Sequence, residues 1–196
     1  MSPPAAITEI GSAKRTHLMA TAERLFYRDG FRIVGIDTLL AEAGVAKMTL
    51  YNHFASKEDL IVAVLEKRDK DICAAIGVAI EAAGRSPTRR LLAVFDWLET
   101  WFGNRDFNGC AFIRALSEYP DPTHAIHQAA WRHKVAVRQT LTGLCEAAGA
   151  KNPSALAETL SMLIDGAIVA AHATKSTQPA ITARTTAAFL LKQATA

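Results

Sequence analysis

The sequence predicts an all-α protein, on three observations. Of 196 residues, 37 are Ala, against 11 Gly and 7 Pro, and Ala is the strongest helix former. Apolar residues recur at helical spacing along most of the chain, and no stretch keeps the alternation of a half-buried strand. Hydrophobic residues make up 50 % and charged residues 21 %, which supplies a core and excludes a disordered tail. The length fits one large domain or two small ones.

Residues 1–11, with Pro3, Pro4 and Gly11, read as a flexible arm. A first helix is expected over 12–29, where Leu18, Ala22, Leu25 and Phe26 line one stripe and Gly30 ends it. Residues 36–43 and 46–53 read as two very short helices, separated by Gly44. Ser56 then caps a long helix over 56–83, with Glu58 and Asp59 at the positive end of its dipole. Ile61, Leu65, Ile72, Ile76 and Ile80 share a face of that helix, which would be on the order of 40 Å long. The break Gly84–Pro87 leads to a helix over 88–102, and the turn-rich stretch 103–109 to a short one over 110–119. Pro120 and Pro122 precede a long helix over 123–148. Two final helices, 154–174 and 180–194, follow the break at Gly149–Pro153. No internal repeat is evident.

Several classes fall away. No apolar run approaches the roughly 18–20 residues of a membrane span, and residues 1–15 lack a signal-peptide pattern. Cys73, Cys110 and Cys145 are odd in number and far apart, which supports neither a disulfide framework nor a zinc ribbon. The expected location is therefore cytoplasmic. The net charge of +3 is too small to name a partner. Glycine-rich phosphate loops and the Gly-x-Ser-x-Gly and His-Glu-x-x-His motifs are missing, so an enzyme is not the expectation and no cofactor is implied.

Residues 30–57, GFRIVGIDTLLAEAGVAKMTLYNHFASK, carry the functional signal. Two short helices joined at Gly44 can share a small core of Leu39, Leu40, Ala43, Val45, Leu50 and Phe54. Helices this short do not persist alone, so they need 12–29 as a third wall. The result is a helix-turn-helix, whose second helix presents its exposed side chains to a major groove.

The stretch resembles the DNA-binding domain of the TetR (tetracycline-repressor) family of bacterial transcriptional regulators. The matching residues are Gly30-Phe31, Ile36, Ala43-Gly44-Val45, Lys47, Thr49-Leu50-Tyr51, His53-Phe54 and Ser56-Lys57. Gly35 departs from the family's capping Ser or Thr, Leu40 from a small Ala, and Met48 from a small residue. The resemblance implies a helix-turn-helix DNA-binding domain over 12–56 and a helical ligand-binding and dimerisation domain over 57–196, about nine helices in all. It implies DNA contacts by Lys47, Met48, Thr49 and Asn52 on the recognition helix, and phosphate contacts by Tyr51, His53 and Lys57. Thr38 and Arg15 are further backbone candidates. Thr49 and Asn52 can hydrogen-bond base edges or phosphates, and Met48 can touch a thymine methyl.

Trp97, Trp101, Phe107, Cys110, Phe112, Ile113, Arg114 and Tyr119 suit either an ordinary core or an aromatic-lined ligand pocket. Arg114 is a salt-bridged residue, with Glu118 as a partner, or an anchor for an anionic ligand. His124, His127 and His133 with Cys110 and Cys145 lack diagnostic metal-ligand spacing and read as helix-start and core residues, so no metal site is expected. The small and apolar residues of the last two helices fit an intramolecular core or a subunit interface. The family favours the interface, with Leu160, Leu163, Ile164, Ala167, Ala183, Ala187 and Leu190 as candidates. The expected protein is a homodimeric, ligand-released repressor on a palindromic double-stranded operator; the alternative is an all-helical binding protein or enzyme with an inert helix-turn-helix.

Overall fold

The computed structural model describes residues 5–195, with side chains from residue 13. Among them are nine helices and no strand: α1 (Ala5–Asp29), α2 (Ile36–Ala43), α3 (Lys47–Tyr51), α4 (Lys57–Ala82), α5 (Pro87–Phe102), α6 (Ala111–Glu118), α7 (Ala125–Ala147), α8 (Pro153–Thr174) and α9 (Gln178–Thr195). The expected helix over 12–29 in fact starts at Ala5. An Ala-rich start outweighs Gly11, whose cost in a helix is about 1 kcal/mol. Of the expected arm, residues 1–4 lie outside the described residues.

The chain divides into two compact units. One comprises the residues up to Arg68 together with Arg114–Ala130; the other comprises Asp69–Ile113 and Trp131–Ala196. The C-terminal part of α6 joins the first unit for a specific reason. Arg114 donates to the carbonyls of Tyr27 (2.9 Å) and Phe26 (3.4 Å) in the last turn of α1, where the Phe26 carbonyl also accepts from Gly30 N at 3.0 Å. Glu118 accepts from the backbone N–H of Arg32 (2.7 Å) and Phe31 (3.3 Å) in the following turn.

In the first unit, Leu18, Ala22, Leu25 and Phe26 of α1 are buried with Leu39, Leu50, Phe54 and Leu60. Gly44 ends α2 at φ 61°, ψ 33°, the left-handed conformation that glycine adopts without a Cβ penalty. Its N–H and that of Val45 return to Ala41 O and Leu40 O. Gly35 begins α2 with no side-chain cap, as its identity dictates. Ser56 Oγ accepts from Asp59 N at 3.0 Å and caps α4.

In the second unit, α5 packs against α8 and α9, and α8 against α9. Their buried residues form one core that also takes Ile76 and Ile80 of α4 and Leu141, Leu144 and Cys145 of α7. Contrary to the sequence expectation, α8 is long and apolar enough, by length and composition alone, to cross a membrane. Here Leu156, Leu160, Ile164, Ile168 and Ala171 instead bury one face of it in this core.

Candidate nucleic-acid interface

The recognition surface starts with Leu50. This side chain is fully buried beneath α3, so the residues around it in the turn point outward. Lys47, Met48, Tyr51 and Asn52 are exposed, and Thr49 and His53 are half-buried. Thr38 at the start of α2 is exposed as well. Met48 is 70 % exposed, so its side chain is available for contact. Residues 47–53 contain no acid.

The charge balance is resolved by pairing. Residues 1–60 carry seven basic and seven acidic side chains. Within the unit Glu42 pairs with Arg24 (2.9 Å), Asp29 with Arg28 (2.7 Å), and Glu23 with Lys67 (3.0 Å) and Arg68 (3.4 Å). These acids are therefore tied to α1 and α4 bases, and among the described residues Lys47 forms no ion pair.

Two expected backbone contacts are engaged within the protein. Arg15 lies over the Phe54 ring, 5.1 Å from its centroid, a cation–π contact that holds it beside the reader. Lys57 donates from Nζ to Arg32 O at 3.3 Å, and burial lowers its pKa. It must exchange that carbonyl for a phosphate oxygen to serve as a clamp, an exchange of one hydrogen bond worth about 1 kcal/mol for a charge-assisted one.

Several of the expected ligand-pocket residues contact one another. Trp97 stacks on Trp101 (5.3 Å), Phe107 meets Trp101 edge-on (5.1 Å), and Phe102 closes the group at 4.9 Å from Phe107. Phe112 is fully buried and stacks on His133 at 3.6 Å, while Cys110 and Ile113 pack against the core. Arg114 is consumed by the α1 carbonyls, and Tyr119 is buried beneath the Arg32 guanidinium, 5.0 Å from the ring centroid. A cavity in the second unit is mainly aliphatic. It measures about 170 Å³ and is lined by Ile76, Ile80, Val94, Val137 and Leu141, with Cys73, Gly77 and Thr140 at its edge.

The interface candidates also divide. Leu160, Ile164, Ala167, Ala183 and Ala187 are buried in the core of their own unit, where α5, α8 and α9 pack on one another. Leu163 and Leu190 are half-buried against the same core. The apolar side chains left outward on these helices are Met162, Val169, Ile181 and Phe189, which residue type alone did not single out.

Comparison with known proteins agrees with this arrangement. Residues 18–64 match the family model for bacterial regulatory proteins of the tetR family. A TetR-family transcriptional regulator from Streptomyces coelicolor superposes with a TM-score of 0.89 at 34 % identity, covering 94 % of this chain and 97 % of that one. The transcriptional activator FasR of Mycolicibacterium smegmatis is 32 % identical over 44 % of this chain and 41 % of its own. The transcriptional repressor NemR of Escherichia coli K12 is 28 % identical over 59 % and 58 %. The match thus spans about half the length of these two curated relatives, and it extends over nearly the whole of the structural one. The chain belongs to the TetR family of DNA-binding transcriptional regulators.

Proposed function

We propose that the protein is a repressor that binds a palindromic double-stranded operator as a homodimer and is released by a small molecule. The observation that carries the DNA part is the surface of α3: exposed Lys47, Met48, Tyr51 and Asn52 around a buried Leu50, with no acid among residues 47–53. Lys47, Tyr51, His53 and Lys57 are assigned to phosphates, which supply affinity; Thr49, Asn52 and Met48 are assigned to base edges, which supply specificity. Arg15 and Thr38 flank them on the backbone. A two-fold dimer presents two recognition helices roughly 34–36 Å apart, one turn of DNA.

Support for dimerisation comes from the outward apolar residues of α8 and α9, Met162, Val169 and Phe189, each more than half exposed. Support for a ligand comes from the aliphatic cavity of about 170 Å³, which is close in size to an engineered apolar cavity of about 150 Å³ that admits benzene. The cavity-lining part of α4 and its Lys57 end belong to one continuous helix, so a ligand that prefers one setting of α4 changes the population competent for DNA. The DNA assignment is tested by titrating a labelled operator fragment at several salt concentrations. Lys47→Ala and Tyr51→Ala should each weaken binding to all sequences, and Lys47→Ala should flatten the log–log salt slope by about one. An unchanged slope for Lys47→Ala removes that residue from the phosphate contacts.

A further inference from the structure

Asp69 and Cys73 stand four residues apart on α4, so their side chains leave the same helical face. His133 of α7 meets them there. Its ring lies flat on Phe112, with centroids 3.6 Å apart and planes 11° apart, which fixes the direction of its nitrogens. His133 Nδ1 is 2.6 Å from Asp69 Oδ1, and the Cys73 thiol is 3.4 Å from the same oxygen. One donor atom from each of the three residues lies within 4.8 Å of the other two.

We propose that Asp69, Cys73 and His133 form a binding site for one borderline divalent cation of the zinc class, with a fourth position open to solvent. An imidazole nitrogen, a thiolate sulfur and a carboxylate oxygen are the donors such ions select, whereas magnesium and calcium take oxygen. Bonds of about 2.0–2.3 Å at tetrahedral angles place donor atoms roughly 3.3–3.8 Å apart. The sulfur–oxygen pair already has that spacing. The Asp69–His133 pair must open by about 1 Å, which a rotation of the half-exposed Asp69 carboxylate provides. Binding releases the Cys73 thiol proton to solvent and requires the His133 ring proton on Nε2, leaving the Nδ1 lone pair for the ion. A divalent ion with one thiolate and one carboxylate is electrically neutral. The nearby Lys134 is already paired with Asp165 at 2.5 Å, so it does not add a bare positive charge. The ion would tie α4 to α7 at the edge of the aliphatic cavity, where Cys73 also stands.

The test is a Co²⁺ titration of the untagged, reduced, metal-stripped full chain, followed by absorption. The expected result is one Co²⁺ per chain, with tetrahedral visible bands and a sulfur-to-cobalt charge-transfer band, all displaced by one equivalent of Zn²⁺. Cys73→Ser, at an exposed position, removes the charge-transfer band; Asp69→Asn weakens binding at least tenfold; Cys110→Ser combined with Cys145→Ser leaves the spectrum intact. Circular dichroism confirms that each variant is folded. A wild-type chain that shows no charge-transfer band with excess Co²⁺, or a band that survives in Cys73→Ser, overturns the proposal.

Discussion

Gly30→Ala combines two costs that a double-mutant cycle separates. Gly30 has φ 102°, and moving an L-residue into left-handed backbone costs roughly 1–2 kcal/mol. An added Cβ would also stand 2.8 Å from Glu118 Oε1, closer than real contacts allow. The carboxylate must then move, and it is the acceptor for Phe31 N and Arg32 N. Weakening those charge-assisted bonds at a partly exposed site costs roughly 1–2 kcal/mol more. The total expected for Gly30→Ala is about 2–4 kcal/mol. In a Glu118→Ala background only the backbone cost remains, so the same substitution should cost about 1–2 kcal/mol. Urea denaturation of the four proteins at one fixed protein concentration measures this, since dimerisation links stability to concentration. If the two Gly30→Ala costs agree within about 0.5 kcal/mol, the sites do not couple, and the reasoning about the Glu118 clamp is refuted.

Gly77→Ala should stabilise the chain by about 0.5–1 kcal/mol, because it removes a mid-helix glycine and its Cβ meets nothing within 4 Å; thermal denaturation checks the sign. Leu160→Ala should cost about 2–5 kcal/mol, as a large-to-small change in the core, and denaturation again measures it. Met162→Glu and Phe189→Glu, at exposed positions, should leave stability of the folded protomer nearly unchanged and yield monomers in sedimentation. Dimers that persist in both place the interface elsewhere.

The helices were legible because their signals are local. The Ser56 cap, the Gly44 turn and the Pro87 and Pro153 starts sit within a residue of the boundaries observed. The reader was legible for the same reason: a buried Leu50 implies outward neighbours. What failed required knowing which face meets which neighbour. Leu160 and Phe189 are both apolar residues on late helices, yet the first is buried in the core and the second is exposed. Trp97, Trp101 and Phe107 contact one another, an arrangement that a concentration of rings in the sequence does not specify. Arg114 was ambiguous because its acceptors, the carbonyls of Phe26 and Tyr27, lie 88 and 87 residues away in sequence. His133 reads from the sequence as a core residue on an apolar stripe, and its approach to Asp69 and Cys73 is set by tertiary packing across 64 residues, which local spacing does not reveal.

The central claim is that α3 reads operator sequence. It is tested most directly by selecting bound sequences from random double-stranded DNA with the wild-type chain and with Asn52→Ala. The account predicts an enriched motif of two inverted half-sites about one helical turn apart, with the preference altered in both half-sites by Asn52→Ala. Failure to enrich any sequence, or an enriched motif that stays identical in Asn52→Ala and in Thr49→Ala, would contradict it.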